Sequence, residues 1–537
     1  MPSPRGPWPG RESVPRAPEL RKEKYVEARL NQGMITVLDP ADIPPSALQL
    51  AKNCVTRFDK TSRRPGSIAL TPEPPNDDPV LAYAAIKKRD GTPYTIRMTP
   101  ASVHVITGGV WVEQVGTLTG AITDRFNTAV VLNEFVFSNN GADEIQTIDF
   151  TLATFDQLGN APKYRYLCGF YNRVVGAALA DSDEVEIGWS GDGVITEWNP
   201  LVDESAGKGP LVESPADLSD FITGIFSWTN VMLVLREKSV WVATKQPIPQ
   251  YPFAFRSVIP GIGCDCPASA INGGDALIWF DLRTSEVYAY SPGGAFEAIG
   301  SSIKRNLVAS VDSPERVFSS YNPIHREYTL YAPQASSKII PAWTYNRQNK
   351  AWCYNEFYDV TCANDIEIGS GGRTIDQLVG TIDELEGTIN DLSSLAVTST
   401  IRVYGYGDGN GGIEDVNASK DAPHTDHEGG YEYNTELESK VFTEPEDDLY
   451  IAEVRIEYQA QVGGTFTLEY SRVGGAGLNP WKNAKVINPT ILGVPRLLRF
   501  KRVIKARRFA FRLVSTGGLF DILSYEIHVY RAGESTK

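Results

Sequence analysis

Between residues 80 and 360 the chain alternates short apolar runs with turn signals, the pattern of successive β-strands. The first group is Val80–Ile86, Tyr94–Met98, Val103–Ile106 and Val110–Val112, separated by Asp90-Gly91-Thr92 and Gly108-Gly109. A second group runs Ala129–Leu132, Glu134–Phe137 and Ile145–Phe150, with Asn139-Asn140-Gly141 as a turn. The third is Tyr164–Phe170, Asn172–Ala178 and Val185–Trp189, and the fourth Ile222–Trp228, Val231–Arg236 and Val240–Ala243. The fifth is Ala268–Asn272, Ala276–Phe280, Val287–Tyr290 and Ala295–Ile299. The sixth is Arg316–Tyr321, Glu327–Tyr331, Ala342–Asn346 and Ala351–Tyr354. Groups of three or four strands recurring every ~40–50 residues have the period of β-propeller blades. One small sheet cannot bury both faces, and radial stacking does so. A row of consecutive sandwiches is the rival all-β arrangement.

The flanks read differently. Residues 1–25 are dominated by Pro and charge and predict a flexible arm. Residues 26–75 predict an extended lead-in, because Pro and Gly recur too often for long helices or central strands. Within it, Ser46 is an N-cap candidate for one short helix over Ser46 to Asn53. The propeller-like body is expected over 76–415. It includes a seven-residue repeat at 374–394, in which Thr374-Ile-Asp, Thr381-Ile-Asp and Thr388-Ile-Asn each open a unit. Ile and Leu lie three apart in each unit, as in a coiled coil. Gly380 and Gly387 each cost a helix ~1 kcal/mol, which favours a chain of tight turns laid on a sheet. A final strand, Thr400–Gly405, and a Gly-rich loop follow. Residues 416–537 predict a C-terminal β-sandwich, with strands Glu436–Phe442, Tyr450–Tyr458, Thr465–Ser471, Arg496–Lys501, Phe509–Ser515 and Phe520–Tyr530. Val454-Arg-Ile456-Glu-Tyr458 has the period of two of a half-buried strand.

Composition agrees with an all-β chain: among 537 residues there are 47 Gly, 35 Pro, 24 Tyr, 21 Phe and 10 Trp. The 51 Lys+Arg against 66 Asp+Glu give a net charge of −15, which argues against a nucleic-acid coat built on basic patches. Five His, six Cys and four Met leave few groups for metal or acid–base chemistry. No cofactor is expected. The six cysteines are scattered and read as reduced thiols in a protein that folds in cytosol. Cys264-Asp-Cys266 is spaced too tightly for the usual zinc pair. The N-terminus lacks the apolar run of a signal peptide, and no stretch of ~18 apolar residues predicts a membrane span.

Few segments carry candidate chemistry. His424-Thr-Asp426-His427-Glu428 has ligand types for a divalent metal, but in a Gly-rich loop that would not fix their geometry. The basic run Arg496 to Arg508, with Arg499, Lys501, Arg502, Lys505, Arg507 and Arg508, stands out in an acidic chain. It is a candidate for contact with phosphates or with an acidic neighbouring subunit, against a plain solvated rim of two strands and their turn. There is no phosphate-binding Gly-Lys loop and no Gly-x-Ser-x-Gly elbow. The paired carboxylates Asp183-Glu184 and Glu444 to Asp448 read as surface groups. A propeller glycosidase would need two carboxylates ~5–9 Å apart across a cleft.

Several segments together resemble the tail hub or nozzle proteins of short-tailed bacteriophages, the tail tubular and packaged-DNA-stabilising proteins. In the lead-in these are Leu30-Asn-Gln-Gly33, Leu38-Asp-Pro40, Ile43-Pro44, Ala51-Lys-Asn53 and Arg63-Arg-Pro-Gly66. In the blades they are Phe135-Val-Phe-Ser-Asn-Asn-Gly141, Gly169-Phe-Tyr-Asn-Arg173 through Trp189 and Trp198, Ile225 to Trp241, Gly273 to Ile303, and Tyr345 to Trp352. Their order along 30–400 carries the likeness, with a weaker one over 496–534. The arm before residue 25 departs from it. The resemblance implies a virion structural protein without catalysis, assembled in the host cytoplasm. Copies would form a ring, a hexamer, below the portal and adaptor and in contact with tail fibre or needle proteins. That ring would retain packaged double-stranded DNA and conduct it during ejection. An acidic wall would let phosphates slide past, and the basic 496–508 segment would meet an acidic patch on the next subunit. Two other readings are a propeller-fold glycan hydrolase or depolymerase and a monomeric protein-binding adaptor.

Overall fold

The computed structural model describes residues 20–70, 72, 74–180, 183–228, 230–368, 399–414, 425–426, 431–444, 448–462, 464–473, 481–489, 492–516 and 519–532. The heptad repeat at 374–394 and most of the His424–Glu428 cluster lie outside them.

The chain is a β-propeller carrying a β-sandwich. Seven antiparallel units of four strands follow one another: 82–114, 126–157, 164–210, 222–260, 271–298, 318–358, and 360–414 completed by Ser67–Ala69. In each blade the first strand is innermost. The first strands of blades 6, 7, 1, 2, 3 and 4 contact one another in that order, as do those of blades 5 and 6. Blades bury both faces, so their strands need not alternate. Leu277–Asp281 is buried at all five positions. The gaps between blades are filled by apolar cores, and the one between blades 5 and 6 runs on into the sandwich. Ile96 and Val105 meet Phe135 and Phe137 between blades 1 and 2. Val175 and Ile187 meet Val234 and Trp241 between blades 3 and 4, and Leu233 and Val242 meet Leu277 and Trp279 between blades 4 and 5. Each such side chain contributes ~1.5–3 kcal/mol by leaving water.

Blade 7 lacks a fourth strand of its own and takes one from the lead-in. Ser67, Ile68 and Ala69 pair with Glu414, Ile413 and Gly412. Buried Arg97 of blade 1 secures the return, donating to the carbonyls of Asn76, Asp78 and Gly409 at 3.0–3.2 Å.

The sandwich also depends on the lead-in. One sheet runs Cys54–Arg57, Lys60–Arg63, Leu519–Ala532, Leu449–Val462, Pro495–Ala506, with Leu20–Ala28 also paired to Leu519–Ala532. The other runs Leu48–Lys52, Thr435–Ser439, Arg508–Thr516, Thr465–Ser471, Lys482–Ile487, and Leu48–Lys52 joins it to blade 6 at Tyr354. The motif residues of the lead-in make this joint. Gly33 has φ 65°, and a Cβ there would lie 2.4 Å from the Trp352 carbonyl oxygen. Asn53 donates to the Asn434 carbonyl (2.9 Å) and accepts from the Glu356 amide (2.8 Å). The Arg64 guanidinium lies between the rings of Phe357 (4.2 Å) and Tyr433 (3.7 Å). Arg57 grips Glu327 of blade 6 through two bonds of 2.8 and 2.7 Å.

Several expectations are corrected here. The arm expected through residue 25 gives way at Leu20 to a strand, tied down by an ion pair between Lys22 and Glu453. The helix expected from an N-cap at Ser46 is instead the strand Leu48–Lys52, because both of its edges lie beside strands that take its backbone bonds. The lead-in is therefore paired strand rather than a free extended segment, and the sandwich begins with it rather than at 416. The fourth strands of blades 2, 3 and 4, Thr154–Gln157, Gly207–Pro210 and Tyr251–Pro260, were not expected. Nor were Val360–Ile368 and Gly411–Glu414, which make the last group a full blade.

Burial raises the Glu327 carboxyl, but the hydrogen bonds and charge of Arg57 outweigh it and hold the group below its ordinary range. Arg57→Ala should therefore destabilise the fold by about 3 kcal/mol, because it strips a buried carboxylate of its bidentate partner. The sign with pH follows. This contribution is full above an unfolded pKa of about 4.3 and is lost as pH falls through the lower folded value. Urea midpoints measured from pH 7 to pH 3 should fall more steeply for the native chain than for Glu327→Gln.

Candidate functional site

The basic run lies mostly on one strand, Pro495–Ala506, at the edge of its sheet. It pairs with Leu449–Val462 on one side and, among the described residues, with no strand on the other. Leu498, Ile504 and Ala506 point into the sandwich, while Arg499, Lys501, Arg502 and Lys505 are exposed. Arg507 and Arg508 are exposed where the chain turns from one sheet into the other. Two of the six carry intrachain partners: Lys505 pairs with Asp448 at 2.9 Å and Arg508 approaches Asp39 at 3.7 Å. Arg499, Lys501, Arg502 and Arg507 have no ion pair among the described residues. Opposite Arg499 stands Arg455, whose guanidinium is held by Glu453 and Glu526 at 3.2 and 2.9 Å. Lys485, on the edge of the other sheet, donates to the Arg499 carbonyl and adds its charge. Leu497 and Val503 are 46% and 60% exposed among these cations. The strand thus offers an edge without a second strand partner among the described residues, positive charge and apolar side chains on one accessible side. Edge strands commonly use lysine to block pairing with like chains while admitting a complementary one.

A second feature, marked by no sequence motif, lies on the propeller axis. A cavity of about 1070 Å³ is lined by the innermost strands and their approaches in all seven blades. Loops entering the first strands and loops joining second to third strands share one end, and there Asp124, Glu184, Glu237, Asp265 and Glu315 gather. Glu184, half of the carboxylate pair read as a surface group, is at this mouth and pairs with Arg165 at 2.8 Å. Burial raises the Glu237 carboxyl; Lys238 opposes the shift, and Asp220, Glu184 and Asp265 add to it. Deeper in, Arg125 of blade 2 reaches across the axis. Its Nη1 donates to the Thr361 carbonyl of blade 7 at 2.5 Å, and its guanidinium lies 4.7 Å from the Phe318 ring of blade 6. Blades 2 and 6 stand nearly opposite in a ring of seven, so this side chain bars the axis. Arg125 lies in blade 2 and Thr223 and Glu237 both lie in blade 4, about a hundred residues further on, and no spacing pattern connects them.

Of the other candidates, most of His424–Glu428 lies outside the described residues. No group of three or more His, Cys, Asp or Glu is placed to hold a metal among the described residues. All six cysteines are buried free thiols. Burial pushes Cys264 up to about 12 and raises Cys266 further, so neither is a ready thiolate ligand. No helix among the described residues is long and apolar enough to cross a membrane.

No protein-family model and no curated protein matches the chain. Among solved structures, it is similar to a catalytically inactive virginiamycin B lyase from Staphylococcus aureus with quinupristin. Identity is 12%, the match covers 65% of this chain and 98% of that one, and the TM-score is 0.37. The selenomethionine-substituted lyase of the same organism matches at 11% identity over 65% and 97%, with a TM-score of 0.36. A likeness at this level assigns neither reaction nor ligand, and the propeller rests on its own strand order.

The burial of every thiol has a direct consequence. The native protein should release almost no thionitrobenzoate from Ellman's reagent, and denaturant should expose all six thiols. Rapid native reaction of any one would contradict the packing around it.

Proposed function

We propose that this chain is a structural subunit of a short-tailed bacteriophage tail, a nozzle or hub protein assembled as a ring below the portal and adaptor. The ring, a hexamer, retains packaged double-stranded DNA and conducts it during ejection, and it meets tail fibre or needle proteins at its outer end. The single observation that carries the reading is the exposed edge strand Pro495–Ala506. Its cations Arg499, Lys501 and Arg502 lack intrachain ion pairs among the described residues in a chain of net charge −15. Such an edge suits a heterologous contact with an acidic face of the next copy, the kind of contact that closes into rings. Arg125 adds a geometric argument. It bars the propeller's own axis, so a conduit for DNA would lie between subunits, where their acidic surfaces repel phosphate.

Mass photometry of the full chain tests this. The native protein should populate a species several times its 59.0 kDa mass. Joint reversal of Arg499, Lys501 and Arg502 to Glu should return it to monomer with unchanged circular dichroism. Reversal of Arg507 and Arg508 should impair assembly less, since Arg508 already faces Asp39. Raising salt from 0.05 to 0.5 M should weaken the ring, because screening shortens the reach of surface charge to a few ångströms. Rings that persist after all five reversals would overturn the assignment of this edge, and a native chain that is monomeric alone and with portal-proximal proteins would overturn the ring.

A further inference from the structure

We propose that the axial cavity is a binding site for a small zwitterion, an ω-amino acid or short peptide, with its carboxylate on Arg125 and its cationic nitrogen at the acidic mouth beside Glu237. This is independent of the ring reading.

The floor of the cavity asks for an anion. Arg125 is half-buried in the cavity wall, its buried Nε has no hydrogen-bond partner, and no carboxylate stands near enough to offset its partial desolvation. Thr223, 7% exposed, lines the same cavity with its hydroxyl unpartnered. A partly desolvated guanidinium without a counter-ion favours an anion beside it, and a ligand carboxylate would supply two charge-assisted bonds in the planar geometry that guanidinium prefers. The mouth asks for the opposite charge. Five carboxylates face one arginine there, and Arg165 is already held by Glu184. Glu237 has no ion pair among the described residues, and its raised proton affinity is what a nearby cation would reverse. A simple anion would be repelled at this entrance, and a simple cation would meet Arg125 below. A molecule with both charges satisfies both ends. The volume of about 1070 Å³ is at the upper end of ligand pockets.

Isothermal titration calorimetry on the full chain at pH 7 tests the site with glycine, 4-aminobutanoate and 6-aminohexanoate, using hexanoate and hexylamine as single-charge controls. At least one ω-amino acid should bind, and each control should bind about tenfold more weakly or worse, the value of one charge-assisted contact. Arg125→Met and Glu237→Gln should each weaken the ω-amino acid by a similar factor. Glu237 is half-buried at the mouth, so Glu237→Gln keeps the fold even if Arg125→Met does not. Hexanoate binding as well as the zwitterion, unchanged binding in Glu237→Gln, or no heat from any of the three ω-amino acids would overturn the proposal.

Discussion

The whole molecule depends on how the propeller is closed. A ring of blades is stable only when the last blade covers the first, and here the last blade is completed by Ser67–Ala69 from ahead of blade 1. The pairing joins residues about 345 positions apart in sequence. Loop closure over such a distance gives no return until most of the blades exist. The ring is therefore a late, cooperative event. The contacts of Arg97 with Asn76, Asp78 and Gly409 belong to the same event, because they fix the return of the chain beside blade 7. The core between blades 7 and 1, where Val80 and Tyr83 meet Cys362, Ile366 and Val403, can pack only once that closure is made.

The same segment imposes the second constraint. Its strands between residues 48 and 63 belong to the sandwich, and its next strand belongs to the propeller. Arg63-Arg-Pro-Gly66 bridges the two. Arg63 donates to the Tyr433 carbonyl and Arg64 to that of Glu356, so one arginine holds the sandwich and the next holds blade 6. A largely shared core, from Leu30 and Cys54 through Tyr328 and Trp352 to Leu513 and Ile527, leaves no flexible joint between them. The edge strand Pro495–Ala506 is thus presented at a fixed orientation to the propeller. Rigid presentation lowers the entropy cost of assembly, since a ring closes only if each interface repeats the same rotation.

What was legible in the sequence follows from where burial constrains side chains. Inner and middle strands need apolar side chains on both faces, and blades 1, 5 and 6 could be read strand by strand because their outermost strands also carry them, Val110 to Val112, Phe296, and Trp352 with Phe357. Outermost strands carry no such demand. Gly207-Lys-Gly-Pro210 has no apolar side chain beyond the exposed ring of Pro210 and is a strand because Glu186 to Trp189 pair with it. Blade 7 was hidden by the long stretch between Val360–Ile368 and Ser399–Tyr406, which separates two strands that pair directly. The supposed helix near Ser46 failed for the converse reason. Its local signals suited a cap, but its neighbours on both sides offered strand edges. The basic edge was visible because charge against an acidic background is a one-dimensional signal. The axial site was not, because it is assembled from one or two residues per blade, and only the ring brings Arg125, Thr223 and Glu237 to one axis.

The charge distribution now separates into two problems with different solutions. On the surface, Arg499, Lys501 and Arg502 remain hydrated, so their lack of intrachain partners costs little and leaves them available to a neighbour. On the axis, Arg125 has given up part of its water and gained only the Thr361 carbonyl and the face of Phe318, a poor exchange for a full charge. Surface cations in an acidic chain need no local explanation beyond solubility, whereas a desolvated one does. It ties blade 2 to blades 6 and 7 without any backbone pairing between them. Its cost is borne because it braces the ring at its centre and keeps a positive floor beneath an acidic entrance.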